Sequence, residues 1–141
     1  MNKSIVTSAS TQDTDFIDQQ IVEFNNSKVP FTQDPAFINF NYVIKDENGT
    51  IIGGIIAASY CWKILYINVL WVDEQHRKHG YGSQLLEKVE QEAQKIGCTL
   101  AHLDTFDFQA KDFYLKHGYQ VFGALENCPP GHTKYFMSKR F

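Results

Sequence analysis

The sequence predicts a mixed α/β (α+β) domain in which helices are combined with the strands of one sheet. Residues 40–58 hold two β-rich runs around an Asn48-Gly49 turn, a pattern typical of a β-hairpin. From Gly80 onward the apolar side chains recur at helical spacing instead, so the periodicity changes along the chain. The predicted order is helix, hairpin, strand, helix, strand, helix, strand, strand. This order differs from the strict alternation of a doubly wound fold.

The first half of the chain is predicted to hold a capped helix and three successive strands. Ser10-Thr11-Gln12-Asp13 is a capping-box pattern, and the helix that it begins is expected to end near Asn25-Asn26. Strands are predicted within residues 40–44, 50–58 and 64–72. The last run is apolar almost throughout, so we expect it to be largely buried on both faces.

Two further helices are predicted in the second half. One begins at Gly80, carries a single apolar stripe and ends at Gly97 as a left-handed cap. Asp107 can cap another helix, which runs to about His117 and stops at Gly118. The remaining predicted strands are residues 99–106, 119–125 and 134–137.

Composition favours one soluble domain spanning residues 1–141. The chain is 43% hydrophobic and carries 13 basic against 16 acidic residues, a net charge of −3. This apolar content excludes the disordered class, and the acidic balance argues against a nucleic-acid partner. Cys61, Cys98 and Cys128 form no pattern of zinc ligands or disulfides, so we expect no metal. A polar N-terminus and the lack of a long apolar run predict a cytoplasmic protein with no membrane partner.

The segment that carries chemistry is Arg77-Lys78-His79-Gly80-Tyr81-Gly82, between a strand and a helix. Glycines at the first turn of a helix let an anion approach the free N–H groups, and Arg77 and Lys78 add positive charge. On spacing alone, a basic turn with incidental glycines is an equal alternative. A Walker A loop is excluded because no Gly-Lys-Ser/Thr is present, and a dinucleotide fingerprint because Leu85 stands where its third glycine is needed.

The same six residues resemble the Arg/Gln-x-x-Gly-x-Gly/Ala signature of the GNAT superfamily of N-acetyltransferases. Downstream, the segment from Ala110 to Tyr119 resembles the family's Ala-x-x-Phe-Tyr-x-x-x-Gly-Phe segment, with Tyr119 in place of the usual Phe. The resemblance implies the GNAT fold, which is a mixed central sheet of about six to seven strands, with splayed central strands, flanked by about four helices. It also implies acetyl-CoA as cosubstrate.

The resemblance further implies where acetyl-CoA binds. The cosubstrate is expected in the opening where residues 66–72 and 99–106 splay apart, with its pantetheine arm along the strand edge at Leu70 and Val72. Asp107 stands where many members have an Asn that faces this arm. The residues implied around the pyrophosphate are Arg77, Lys78, His79, Gly80, Tyr81, Gly82 and Ser83.

Catalytic roles are implied in the same way. Tyr114 occupies the position of the family's general-acid tyrosine, and its alternative is a core tyrosine. Residues 64–72 contain no carboxylate, although several members keep a Glu there as the base. We expect Asp104 to accept the amine proton, directly or through water. Asp107 or a histidine (His76, His79 or His102) are the alternatives.

The function implied by the resemblance is transfer of the acetyl group of acetyl-CoA to a primary amine of a small-molecule or protein acceptor, by direct attack in a ternary complex. Two rival hypotheses stay open. One is a catalytically silent acetyl-CoA-binding sensor or complex module, and the other is an unrelated α/β phosphate binder. Phe136 and Phe141, expected to be exposed near the C-terminus, would allow a homodimer. The aromatic residues expected to supply the acceptor pocket are Phe31, Phe37, Phe40, Tyr60, Trp62 and Phe108.

Overall fold

The computed structural model describes residues 3–141. Its chain divides into two compact units, one up to Phe31 and one from Thr32 to Phe141. The expectation of a single domain over residues 1–141 stays a prediction.

The first unit contains helix α1, Thr11–Lys28. The predicted capping box is confirmed: the Asp13 N–H donates to Ser10 Oγ (3.1 Å), and the Ser10 N–H donates to Asp13 Oδ2 (2.9 Å). The helix ends later than the Asn25-Asn26 pair indicated. The side chain of Asn26 instead accepts a hydrogen bond from the Phe31 N–H (2.9 Å), so it fixes the chain that follows the helix.

The second unit is built on one seven-stranded sheet, which confirms the predicted mixed architecture. Its strands are β1 Phe37–Asn39, β2 Tyr42–Lys45, β3 Ile51–Tyr60, β4 Ile64–Val72, β5 Leu100–Phe106, β6 Gln120–Glu126 and β7 Thr133–Arg140. The order is β1-β3-β4-β5-β7-β6, and β2 pairs with β3 beside β1. Among the strands of the described residues, only β4 and β5 are paired in parallel, and all other paired strands are antiparallel.

Two α-helices accompany the sheet, α2 (Tyr81–Lys95) and α3 (Lys111–Lys116), together with a short 3-10 helix at Glu74–His76. Within residues 3–141 this makes three α-helices and one 3-10 helix, slightly different from the four expected. Gly97 and Gly118 follow α2 and α3 in the left-handed conformation, with φ of +98° and +88°, as the sequence predicted.

The core lies on one face of the sheet, which we call the inner face. Leu65 and Ile67 of β4 are fully buried there against Leu86 and Val89 of α2. Burial of β4 on both faces was a wrong prediction. An extra residue, Asn68, shifts the alternation after Ile67, so Val69 and Trp71 lie on the opposite, outer face, where they are 44% and 46% exposed.

A buried polar network ties α2 to the last strand. The Tyr119 hydroxyl donates to Glu90 Oε2 (2.8 Å), and Lys139 Nζ donates to Oε1 (3.0 Å). Burial, and then the charge of Glu90, raise the pKa of Tyr119, so its phenol stays protonated. Since these contacts hold the middle of α2 against the sheet, they also fix the direction of its N-terminus.

The cysteines and the aromatic residues near the C-terminus are both at least partly buried. Cys61 and Cys98 are buried thiols, as expected of core residues. Phe136 and Phe141 are partly buried rather than exposed, and the homodimer stays a prediction. No helix within residues 3–141 is both long and apolar enough to cross a membrane.

Candidate active site

An opening lies between the two parallel strands. Four residue pairs join β4 to β5, from Ile64 with Leu100 to Ile67 with Leu103. Beyond these pairs β4 continues to Val72 and β5 to Phe106, yet no further pair links them in the described chain. The strands therefore separate at their carboxyl ends, as the family resemblance implied.

A β-bulge marks the point of separation. Ala57 of β3 pairs with Ile67, and its neighbour Ile56 pairs with Val69, so Asn68 is an additional residue in β4. Bulges bend a strand and increase its twist. The bulge therefore turns the end of β4, with Leu70 and Val72, away from β5.

The glycine loop leads from the end of β4 into α2. Lys78 and Gly80 both adopt the left-handed conformation, with φ of +68° and +79°. Gly80 is the N-cap residue, and the Gln84 N–H makes the first helical hydrogen bond to its carbonyl (3.0 Å). The N–H groups of Tyr81, Gly82 and Ser83 precede that bond and have no partner within the helix. They form a positive helix end next to the opening.

The two glycines serve different purposes. A Cβ on Gly80 would meet no protein atom within 4 Å, so this side of the loop is open. A Cβ on Gly82 would lie 3.3 Å from the Phe113 ring. Gly82 therefore lets α2 approach α3 closely, a packing role that its position in a phosphate-binding pattern does not reveal.

Hydrogen bonds hold side chains at both ends of the glycine loop. Arg77 Nε donates to the Val72 carbonyl (3.1 Å), which folds the arginine back onto the strand end. Ser83 Oγ lies 2.9 Å from His117 Nε2, so the first turn of α2 is linked to the residue after α3. The His79 ring lies 5.8 Å from that of Tyr81. These contacts hold Arg77 and Ser83, the first and last of the residues predicted to surround the pyrophosphate.

Tyr114 is a buried phenol on α3, with only 5% of its surface exposed. Its ring packs edge-on against Tyr119 at 5.6 Å. Burial, and after it the negative charge of Asp104, raise the pKa of Tyr114 to about 12. The phenol therefore carries its proton at neutral pH, and the carboxylate of Asp104 lies close enough to influence it.

Asp104 is the first β5 residue beyond the last pair with β4. The Tyr66 hydroxyl donates to its Oδ2 (3.0 Å), and Lys134 Nζ lies 3.5 Å from its Oδ1. Burial, followed by the hydrogen bond to Asp104, raises the pKa of Tyr66. Both carboxylate oxygens thus have protein partners in the absence of acceptor.

His102 is one alternative base that the structure places beside Asp104. Its Nε2 lies 2.8 Å from the Tyr60 hydroxyl. Burial lowers the pKa of His102, against the opposing effect of Asp104. The ring is therefore neutral at physiological pH, but its nearest partner is a phenol. The other two candidate histidines lie in the glycine-loop region, where His76 Nδ1 is 2.8 Å from Asp73 Oδ2.

Asp107 does not cap a helix, so that prediction was wrong. Helix α3 begins at Lys111, and Ala110 stands at its N-cap without a side-chain hydrogen bond. Asp107 instead accepts hydrogen bonds from the Thr133 N–H (2.9 Å) and from His132 Nδ1 (2.8 Å). The bond from Thr133, and to a smaller degree the contact with His132, lower the pKa of Asp107. Its carboxylate fastens the loop before β7 to the end of β5.

The aromatic residues predicted for the acceptor pocket differ in burial. Phe40 is part of the core, Tyr60 is half-buried beside His102, and Phe37 and Phe108 are exposed. The ring of Phe108 packs against His132 at 5.1 Å. Sequence reasoning gave no role to Lys134, whose position beside Asp104 depends on the register of β7.

Comparison with known proteins identifies the family. A family model described as the acetyltransferase (GNAT) family matches residues 11–119. The chain belongs to the GNAT family of acetyltransferases. This GNAT chain is 35% identical to a blasticidin-S acetyltransferase from Streptomyces morookaense over 94 residues, which are 66% of this chain and 68% of that protein. It is 31% identical to an acetyltransferase from Agrobacterium fabrum over 104 residues, 73% of this chain and 74% of the relative.

Solved structures agree with the GNAT assignment. An acetyltransferase from Bacillus cereus matches with a TM-score of 0.86 and 37% identity over 98% of both chains. An aminoglycoside 6'-N-acetyltransferase complexed with coenzyme A matches with a TM-score of 0.64 at 18% identity, covering 96% of this chain and 97% of the other, and shows the fold alone. The GNAT fold is thereby confirmed, and the protein is an acetyl-CoA-dependent acetyltransferase.

Proposed function

We propose that this acetyltransferase moves the acetyl group of acetyl-CoA to a primary amine of a small-molecule acceptor, by direct attack in a ternary complex. The observation that carries the proposal is the opening between β4 and β5, with Asp104 directly beyond the last strand pair and the protonated phenol of Tyr114 near enough to be affected by its charge. The similarity to a blasticidin-S acetyltransferase supports a small molecule rather than a protein as acceptor.

The fit to acetyl-CoA follows from the glycine loop and from the edge of β4 that faces β5 beyond the last pair between these strands. The N–H groups at the start of α2, with Arg77 and Lys78, offer hydrogen bonds and positive charge to a pyrophosphate. The free edge of β4 at Leu70 and Val72 can pair with the amide groups of the pantetheine arm. An N–H near Leu70 would then stabilise the negative charge that develops on the thioester oxygen.

The reaction makes separate demands on the two catalytic groups. An alkylammonium has a pKa of about 10, so the acceptor must lose a proton before attack, and Asp104 is the carboxylate at the opening. The amine then attacks the thioester carbon, and the thiolate of CoA leaves. A thiol has a pKa near 8.5, below the value of Tyr114, so Tyr114 acts as a hydrogen-bond donor that stabilises the leaving sulfur.

The test is acetyl transfer measured by thiol release and by mass spectrometry of the acceptor. Blasticidin S, spermidine and a lysine-containing peptide serve as probes, with acetyl-CoA alone as control. The proposal expects an N-acetylated product from at least one small amine, at a higher rate than from the peptide. Tight binding of acetyl-CoA without an acetylated amine contradicts it and favours the silent sensor.

A further inference from the structure

Three side chains on the outer face, Asp104, Phe106 and Phe136, form a block around the amine of Lys134. In the register of β5 and β7, Asp104 stands opposite Phe136, and Phe106 stands opposite Lys134. Lys134 Nζ lies 3.5 Å from Asp104 Oδ1 and over the two phenylalanine rings, 5.7 Å from Phe106 and 5.6 Å from Phe136. A carboxylate and two aromatic faces are what binds an ammonium group in proteins.

This arrangement gives Lys134 the properties of an acetyl acceptor. It is a primary amine already next to the carboxylate that we assign as the base. Its side chain is 27% exposed, so it is partly shielded from water. The four-carbon stem of lysine is flexible, so the amine can swing from Asp104 towards the opening.

Lys139 on the same strand provides an internal comparison. It also pairs with a carboxylate, Glu90 at 3.0 Å, and lies 5.6 Å from the Tyr119 ring. Lys139 and Lys134 are five positions apart on β7, so they point to opposite faces of the sheet. Like Lys134, Lys139 forms an ion pair and lies near an aromatic ring, but its carboxylate partner is Glu90 rather than Asp104.

We propose that Lys134 is an internal acetyl acceptor: with acetyl-CoA bound and no external amine present, the enzyme acetylates its own Lys134. This inference rests on the proposed function of the same opening. Asp104 takes one proton from the ammonium, and the amine nitrogen attacks the thioester carbon. The carbon–nitrogen bond forms and the carbon–sulfur bond breaks. CoA leaves as the thiolate, stabilised by Tyr114, and the second proton of the amine goes to that sulfur or to water.

Acetylation of Lys134 would change the site that performs it. The product is a neutral amide, so Asp104 loses its cationic partner. The aromatic faces of Phe106 and Phe136 are then left without their internal cation. The block thereby becomes available to the ammonium group of an external acceptor.

The experiment incubates the full chain with acetyl-CoA alone and follows acetylation of Lys134 and Lys139 by peptide mass spectrometry. Lys134 is expected to be acetylated at least about tenfold faster than Lys139, because only Lys134 has the carboxylate of Asp104 beside it. Asp104→Asn and Tyr114→Phe should each slow the labelling of Lys134 by about tenfold or more and leave that of Lys139 unchanged. Acetyl phosphate, which cannot use the CoA site, should show no such selectivity.

Several outcomes would overturn the inference. Equal labelling of Lys134 and Lys139 would show ordinary chemical acetylation, as would a rate at Lys134 that neither variant changes. An unmodified Lys134 in an enzyme that acetylates external amines would disprove the inference and leave the proposed function intact. If external amines also stay unmodified, the proposed function fails as well. Loss of the signal in Lys134→Arg would show that Lys134 is the acetylated residue. Circular dichroism verifies that each variant is folded.

Discussion

At the scale of single residues, the proton of Tyr114 is the most direct test of the chemistry. Replacement by Phe keeps the ring that packs against Tyr119 but removes the hydroxyl. We expect Tyr114→Phe to lower turnover by about a hundredfold, since one positioned hydrogen-bond donor to the charge that develops in the transition state contributes at least that much. Because the pKa of Tyr114 is about 12, the wild-type enzyme should show no loss of activity from this group below about pH 11.

The measurement for Tyr114 is the pH profile of turnover with acetyl-CoA and a small amine. Tyr42→Phe is the matched control, because Tyr42 lies on β2, away from the opening. Equal turnover in Tyr114→Phe and Tyr42→Phe would remove Tyr114 from the mechanism. The KM for acetyl-CoA should stay unchanged in both variants, since neither hydroxyl is assigned to its binding.

Gly80 allows backbone strain to be separated from ligand binding. Gly80 and Gly49 have almost the same φ, +79° and +80°, and neither would bring a Cβ within 4 Å of another atom. Alanine at either position should therefore cost about 1 kcal/mol of stability from the left-handed backbone alone. Only Gly80 stands at the positive end of α2, where we assign the pyrophosphate.

Gly80→Ala and Gly49→Ala are thus expected to lose similar stability but to differ in their KM for acetyl-CoA. Chemical denaturation should give similar losses of unfolding free energy. The KM for acetyl-CoA should rise several-fold in Gly80→Ala and stay unchanged in Gly49→Ala. A rise in both variants would indicate a general loosening of the fold, and no rise in either would contradict pyrophosphate binding at this loop.

At the scale of elements, local sequence signals predicted most boundaries, because they act within a few residues. The capping box at Ser10 and the glycines after α2 and α3 are examples, since each satisfies backbone groups in its own turn. The prediction that Asp107 caps a helix was wrong for the same reason, because it considered neighbouring residues alone. An aspartate before a helix is a good cap by local rules, but its carboxylate is bound by His132 and Thr133, 25 and 26 residues away.

The contacts of Asp107 lead to a prediction about the loop before β7. Asp107→Asn should weaken the bond to His132 and loosen the loop, which raises the KM for the acceptor while that for acetyl-CoA stays unchanged. Asp112→Asn on α3 is the control, because Asp112 is an exposed residue of the first helical turn. The reverse pattern, a higher KM for acetyl-CoA alone, would support the pantetheine contact that the family resemblance implied.

The same contacts set the pH range over which the loop is held. The pKa of Asp107 is lower in the folded chain than its ordinary value, so its contribution is complete above that ordinary value. It is lost only as the pH falls through the lowered folded pKa. We expect the Thr133 amide resonance to be constant near neutral pH and to titrate below about pH 4. A midpoint above the ordinary aspartate pKa would contradict this assignment.

At the scale of the whole molecule, the residues assigned to the cosubstrate are neighbours in the sequence, whereas those assigned to the acceptor end are not. The pyrophosphate residues are contiguous from Arg77 to Ser83, so one motif contains them all. Asp104, Tyr66 and Lys134 meet only through the pairing of three strands. Their contacts depend on strand register, which the side-chain pattern alone does not determine.

The opening between β4 and β5 gives the last prediction, because in the described chain it leaves the end of β4 paired with β3 on one side but unpaired on the side that faces β5. A pantetheine arm that pairs with this edge would form hydrogen bonds in the gap between β4 and β5, so ligand binding should stabilise the fold. A ligand that binds only the folded state contributes about 2.7 kcal/mol at a hundredfold excess over its Kd. CoA should therefore raise the melting temperature by several degrees in a thermal-shift titration, and ADP, which has the pyrophosphate but no pantetheine, should raise it less. Equal shifts would mean that the glycine loop alone binds the ligand, which is the behaviour of a simple phosphate binder and not of an enzyme that uses the opening.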